Sequence, residues 1–593
     1  MRIVSFTRYI TENSKPFSLK DTEVVIDGQN FFYRLYEESG LRFEFGCESD
    51  QYAKYLKNYL SMFKRANVRL YIFFKGGHES ISTKFDKLVR DTNVTNGKNY
   101  IIDGDNPGIV HPVFMKTTYK QVLDEMSFDY VICEFESKRD CIAFAQKRKC
   151  PIISRDAEFC FTDLPYISYE NIVYNKERNV VECDVFKLNE FMRKYHVDKK
   201  KLAIFVVLTD QKIYPENYFI DFLKRCKIRP NNYLRIEGIL NYLSKTETDN
   251  AIRNIIERTR GLDRNEFLNN IRKVEQWICE RVETGIPGQY IENGNEISFD
   301  NKDPRWFEKG VAAKHISLIY VNLYRSKVLL GSWAIADDNA QDAMLFSIEI
   351  IQYVYDLLTN FDGTHYEFID FSIKKHSISP HSYSIKKPEY EADSSVFENG
   401  WGEIRSLRLF EHFIEETLPK FDFEILNTVP EDARLLFIAL VYFGHKKTDD
   451  VTKEVCSVLL SYVTLAVIKA HGQNQVTPDD CDAAARIIDE YSKTTKCEVI
   501  EILDRKLLHP LVEFQHCLEH LNSLNTLCGS PYKPTIYSKT YNGTLVYKVL
   551  YTIEQGHSGD GEVFLETILN PAPSVLMYVK DLLRMYKDIF NQL

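Results

Sequence analysis

Four acidic residues stand where an open parallel sheet places its chemistry. Val24-Val25-Ile26-Asp27-Gly28 is an apolar strand delivering one carboxylate to its C-terminal end. Cys133-Glu134-Phe135-Glu136 and Ser154-Arg155-Asp156-Ala157-Glu158 bring more acids to the ends of two further strands. Asp27, Glu136, Asp156 and Glu158 thus fall at the carboxyl ends of neighbouring strands, or at the start of the helix between them. Acids gathered this way hold hard divalent cations such as Mg²⁺ or Mn²⁺, which take oxygen ligands and keep several waters. Two such ions ~4 Å apart activate a water and stabilise the leaving oxygen in phosphodiester cleavage. The plainer role for each acid is a helix cap or a solvated strand end.

The elements needed to position these acids are legible around them. Over Gln51–Ala66, Tyr52, Tyr55, Leu56, Tyr59, Leu60 and Phe63 recur at the spacing of one buried helical face. Leu70-Tyr71-Ile72-Phe73-Phe74 follows as a fully apolar strand ending at Lys75-Gly76-Gly77. Two strands joined by a helix predict a parallel pair with a right-handed crossover. A helix over Met115–Glu125, a strand at Tyr130–Cys133, a helix over Glu136–Lys147 and a strand at Pro151–Ser154 continue the alternation. Residues 1–175 are therefore expected to form a doubly wound α/β domain. Residues 1–20 read as a short helix and loop. His78–His111 reads as a polar excursion whose lysines and arginine are offset by acids.

From Val185 onward the pattern turns helical. Gly285–Pro304, rich in Gly, Asn, Asp and Pro, marks a boundary. Residues 176–285 are expected to be a helical bridge, and 286–593 a helical C-terminal domain without strand alternation.

Composition narrows the function classes. The 593 residues are 44% hydrophobic and 27% charged, an ordinary globular balance. A net charge of −10 argues against a strongly basic, non-specific nucleic-acid binder. Thirteen cysteines without a C-x-x-C pair point to free thiols in a reducing compartment. The first residues lack the apolar core of a signal peptide. The longest apolar-rich run, Val455 to Ile468, is too short to span a bilayer and reads as a buried helix. A nuclear or cytoplasmic protein with no membrane partner is expected. His111, His315, His365, His376 and His381 show no ligand spacing, and Lys199-Lys200-Lys201 reads as a solvated turn.

Taken jointly, Val-Ile-Asp-Gly at Val25–Gly28, the strand ending in Gly76-Gly77, Cys133-Glu134-Phe135-Glu136 with Asp140-Cys141-Ile142-Ala143, and Cys150-Pro151-Ile152-Ile153-Ser154 with Asp156 and Glu158-Phe159 resemble the asteroid proteins. That family lies in the flap-endonuclease/XPG superfamily, with a PIN-like nuclease domain. The resemblance continues through Trp306-Phe307-Glu308-Lys309-Gly310, Phe514–Leu518, Leu524-Asn525, Pro531-Tyr532 and Tyr541–Leu545. It implies a PIN-like N-terminal domain followed by mainly α-helical domains. It also implies metal ligation by Asp27, Glu136, Asp156 and Glu158, with Asp210 as a substitute.

Departures from the family pattern are pointed. Lys75 stands where the superfamily strand ends in Asp, and Lys138 replaces a second acid. Gln211 occupies a further metal position, with Asp210 one place out of register, and Arg2 replaces a glycine after the initiator methionine. The helix–turn–helix that grips duplex DNA in flap nucleases is not recognisable after Tyr214. Lys75 and Lys138 are expected to pair with Asp27, Glu136 or Asp156. The expected function is that of a pseudonuclease with no cofactor, acting by binding a protein or DNA. An active, structure-specific DNA endonuclease using Mg²⁺ or Mn²⁺ is the alternative, and the DNA partner in either case would be structured or single-stranded. A scaffold without nucleic-acid contact is the third reading. The sequence points to no particular nucleic-acid-binding residues.

Overall fold

The computed structural model describes residues 3, 6–76, 110–133, 136–229, 232–279, 291, 303–330, 334–337, 339–369, 378–381, 395–447, 449–471, 476–493, 495–556 and 560–593. Most of the excursion over 78–111, most of the boundary stretch 285–304, Arg2, Glu134 and His376 lie outside them. The chain divides into two compact units. One comprises Met1–Phe31, Asn58–Lys75 and Phe128–Ile297, and the other Phe32–Lys57, Gly76–Ser127 and Ser298–Leu593.

In chain order the first elements are α1 (Phe6–Glu12), β1 (Lys15–Leu19), β2 (Thr22–Asp27), α2 (Gly28–Ser39), α3 (Ser49–Arg65) and β3 (Val68–Phe74). Then come α4 (Met115–Glu125), β4 (Asp129–Ile132), α5 (Ser137–Arg148), β5 (Ile152–Ile153), β6 (Tyr166–Ile167), β7 (Val173–Asn175) and β8 (Val180–Phe186). After them run α6 (Leu188–Tyr195) and α7 (Lys199–Thr209).

The first unit is built on one sheet in the order β1-β8-β6-β5-β2-β3-β4, with β7 also paired to β8. The pairs β2–β3, β3–β4, β2–β5 and β5–β6 are parallel. Strand β8 runs antiparallel to β6, β7 and β1. The α/β fold expected from the strand–helix alternation is what forms, with a mixed edge added to the parallel centre. Val24, Val25, Ile26 and Leu70 to Phe74 are all buried, because a parallel centre is covered on both faces. Val25, Tyr71, Phe73, Val131 and Ile152 pack in one core with Cys141, Ile142, Phe144 and Ala145 of α5 and Leu202 to Leu208 of α7. Their neighbours Val24, Ile26, Leu70 and Ile72 point to the opposite face, as the two-residue period of a strand requires.

Strand order creates the crevice. From β2 the chain steps to β3 and β4 on one side, then returns to place β5 on the other. Ligand sites in open α/β sheets lie at such a reversal, beyond the carboxyl ends of the strands.

Residues 15–19 correct the expectation of a loop: they form β1 and pair with Val181 to Val185. Four of the five are exposed, so no apolar alternation announced a strand.

The second unit is mainly helical. The helix Arg505–Leu527 is its longest, and Leu508, Leu511, Phe514, Cys517, Leu518, Leu521 and Leu524 on it are buried. Val455 to Ile468 is buried throughout, as expected: an α-helix, Thr452–Val463, passes into a π-turn, Thr464–Ile468. Among the described residues no helix is long and apolar enough to cross a membrane. The unit also holds a small sheet that no strand alternation beyond residue 305 announced. Val328–Leu330 pairs parallel with Tyr366–Ile369, which pairs antiparallel with Ile378–His381. Strands of three or four residues are too short to show a period.

Candidate functional site

Asp27 ends β2 and is 5% exposed, beside the β2/β5 reversal. Gly28 follows because there is no room for a side chain. A Cβ there would lie 2.8 Å from Ile72 Cγ2 and 3.0 Å from the Phe73 carbonyl oxygen. A buried carboxylate must have hydrogen-bond partners. The Ser154 hydroxyl donates to Asp27 Oδ2 at 2.9 Å, and the Ser137 hydroxyl lies 3.4 Å from Oδ1. Ser137 opens α5, so Asp27 also faces the positive end of that helix.

Ser154 connects two of the acids. Its hydroxyl oxygen accepts the Asp156 backbone N–H at 2.9 Å while its proton goes to Asp27. Its carbonyl accepts the Tyr166 hydroxyl at 2.7 Å, which fixes the backbone where β5 ends. Asp156 then caps a 3₁₀ turn, Ala157–Phe161, by accepting the Glu158 N–H on Oδ1 at 2.9 Å.

Lys138, one residue into α5, reaches this turn. Its Nζ lies 2.7 Å from Asp156 Oδ2 and also contacts Glu158 Oε2. The three side chains are 25%, 26% and 17% exposed, so the cluster is only partly screened by water. Lys75, just past β3, pairs with Glu136 at 2.6 Å, and Glu136 is 63% exposed.

Beneath the site, Cys133 and Cys141 are fully buried. Burial, and then the nearby Asp140 and Asp27 charges, push both thiols far above their ordinary range and keep them protonated.

Of the residues expected to act together, Asp27, Asp156 and Glu158 are joined through Ser154 and Lys138. Glu136 stands outward with Lys75. Asp210 is 4% exposed and closes α7, its Oδ1 accepting the Lys212 N–H at 2.9 Å. Gln211 borders a separate cleft with Tyr214, Glu216 and Arg235. Among the described residues no three His, Cys, Asp or Glu side chains are grouped as a metal ion would need. As they stand, Asp156 and Glu158 fit a divalent ion poorly, because an ammonium sits where the two converge.

Ser137 and Ser154 are the residues that sequence reasoning missed. Their only signal was position: each lies at the same sheet edge as an acid.

The chain is similar to several known proteins. The family model described as Asteroid N-terminal domain matches residues 432–593. Human "Single-strand DNA endonuclease ASTE1" is 22% identical over 592 residues, covering 92% of this chain and 85% of that protein. Its Danio rerio counterpart of the same name is 21% identical, covering 98% and 86%. "Protein asteroid" of Drosophila melanogaster is 19% identical, covering 79% and 72%. The solved catalytic core of Rad2 in complex with DNA substrate is 14% identical, with a TM-score of 0.27 over 46% of this chain and 95% of that one. At that TM-score the fold rests on the strand order above.

Proposed function

We propose that this chain, a relative of the asteroid proteins, binds its partner through a nuclease-like fold without cutting phosphodiester bonds. The observation that carries the reading is Lys138 held between Asp156 and Glu158. A divalent ion ~4 Å from that ammonium would be repelled by about 2 kcal/mol at the dielectric of water, and by about 8 kcal/mol at an effective dielectric of 20. Partial burial puts the site between these limits. Lys75 and the exposed Glu136 satisfy each other and leave the acid count lower still.

The partner class is DNA, structured or single-stranded, or a protein. The name borne by the vertebrate relatives favours single-stranded DNA. With a net charge of −10, contact with phosphates would be local and sensitive to salt. Fluorescence anisotropy with labelled single-stranded and flap oligonucleotides tests this. Binding that persists in EDTA and weakens as salt rises is expected. Binding that requires Mg²⁺ and vanishes in EDTA would sink it.

A second reading has its own support. Asp27, Asp156 and Glu158 still share one neighbourhood through Ser154. With Glu136 they would hold Mg²⁺ or Mn²⁺ in an active single-strand endonuclease, if Lys138 and Lys75 were displaced by substrate.

A further inference from the structure

We infer that the Lys138 ammonium is the resident cation of this site, and that removing its charge creates a divalent-cation site on Asp156 and Glu158. The inference rests on the metal-free reading above and adds what keeps the metal out. Both carboxylates contact the same nitrogen, so their oxygens already converge on one point. Each is positioned by something other than the lysine. Asp156 is tied to the backbone through its cap of the Ala157–Phe161 turn and through Ser154. Glu158 lies in the first turn of that segment, and its backbone N–H donates to Asp156 Oδ1, which places its backbone. Removing the ammonium charge therefore leaves both acids side by side on a backbone held by these hydrogen bonds.

Two carboxylates and a set of waters form a usual Mg²⁺ or Mn²⁺ site in proteins. Lys138 blocks it in two ways. It occupies the point of convergence, and its charge opposes any ion nearby. Charge alone, at the dielectric of water and ~4 Å, is worth at least about 30-fold in affinity for a divalent ion. Lys138 also lies in the first turn of α5, where a cation is disfavoured by the helix dipole. A lysine there is stabilised by the two acids that face it.

Mn²⁺ titration of the full chain, read by the loss of the free-ion electron paramagnetic resonance signal, tests the inference. Wild type, Lys138→Arg, Lys138→Met and Lys138→Gln would be compared. Wild type and Lys138→Arg should bind at least about 30-fold more weakly than Lys138→Met and Lys138→Gln. Adding Glu158→Gln to Lys138→Met should remove the gain. Lys138→Gln retains a polar side chain of similar reach, so it covers the case in which Lys138→Met does not fold. Circular dichroism and a Mn²⁺-dependent rise in melting temperature report folding and binding on the same samples. Wild-type binding as tight as that of the neutral variants would overturn the inference. So would folded neutral variants that gain nothing. Neither result depends on whether the wild type cuts DNA, so failure here is distinguishable from failure of the proposed function.

Discussion

Ser154→Ala should destabilise the first unit more than its small change in volume suggests. The Ser154 hydroxyl is 1% exposed, donates to the buried Asp27 carboxylate at 2.9 Å and accepts the Asp156 N–H at 2.9 Å. Losing a hydrogen bond to a charged buried group costs about 1.5–3 kcal/mol, and losing the bond of the half-buried Asp156 N–H about 0.5–1.5 kcal/mol. Asp27 keeps its Ser137 contact at 3.4 Å and the helix end, so the lower part of the summed range, about 3 kcal/mol, is expected. For a unit of roughly 200 residues that is a fall of about 6–12 °C in melting temperature. Differential scanning calorimetry of wild type, Ser154→Ala, Asp27→Asn and the double variant measures it. The double variant should fall by less than the sum of the single ones, because each single change strands the other partner. A Ser154→Ala protein within about 0.5 kcal/mol of wild type would refute the hydrogen-bonded role given to Ser154 and Asp27.

Gly28→Ala places a Cβ 2.8 Å from Ile72 Cγ2 and 3.0 Å from a backbone oxygen, and should cost about 1–3 kcal/mol in thermal unfolding. In the second unit, burial and then the neighbouring His516 depress the His520 imidazole to about 3, while the Tyr320 hydroxyl lies 2.7 Å from its Nδ1. The folded state therefore refuses a proton that the unfolded chain accepts near 6.5, so stability is lost as pH falls below 6.5 towards 3. Relative to His520→Gln, wild type should lose about 2 kcal/mol between pH 7 and pH 5, measured by paired thermal melts. A parallel pH course for the two proteins would contradict that burial effect.

What the sequence revealed follows from burial. Val24–Asp27 and Leu70–Phe74 were legible because a parallel centre covered on both faces reads as an unbroken apolar run. The helix at Ser49–Arg65 was legible because one face is buried and the other wet, giving a clear helical period. Strand β1 stayed hidden because an edge strand with four exposed residues carries no pattern. The acids at Asp27, Asp156 and Glu158 were visible as strand-end residues. Their partners were not, since nothing in one dimension says that a serine after β5 will reach a carboxylate after β2. That Lys138 would face Asp156 and Glu158, and Lys75 the outward Glu136, depended on which side of α5 Lys138 takes and on where the chain leaves β3.

The most direct measurement is cleavage of labelled single-stranded, overhang and flap DNA by the wild-type chain in Mg²⁺ and in Mn²⁺, with Asp27→Ala and Asp156→Ala alongside. No product from any of the three proteins, with each folded by circular dichroism, is the expected result. Product from wild type that disappears in both variants would contradict the central claim and establish these acids as a working metal site.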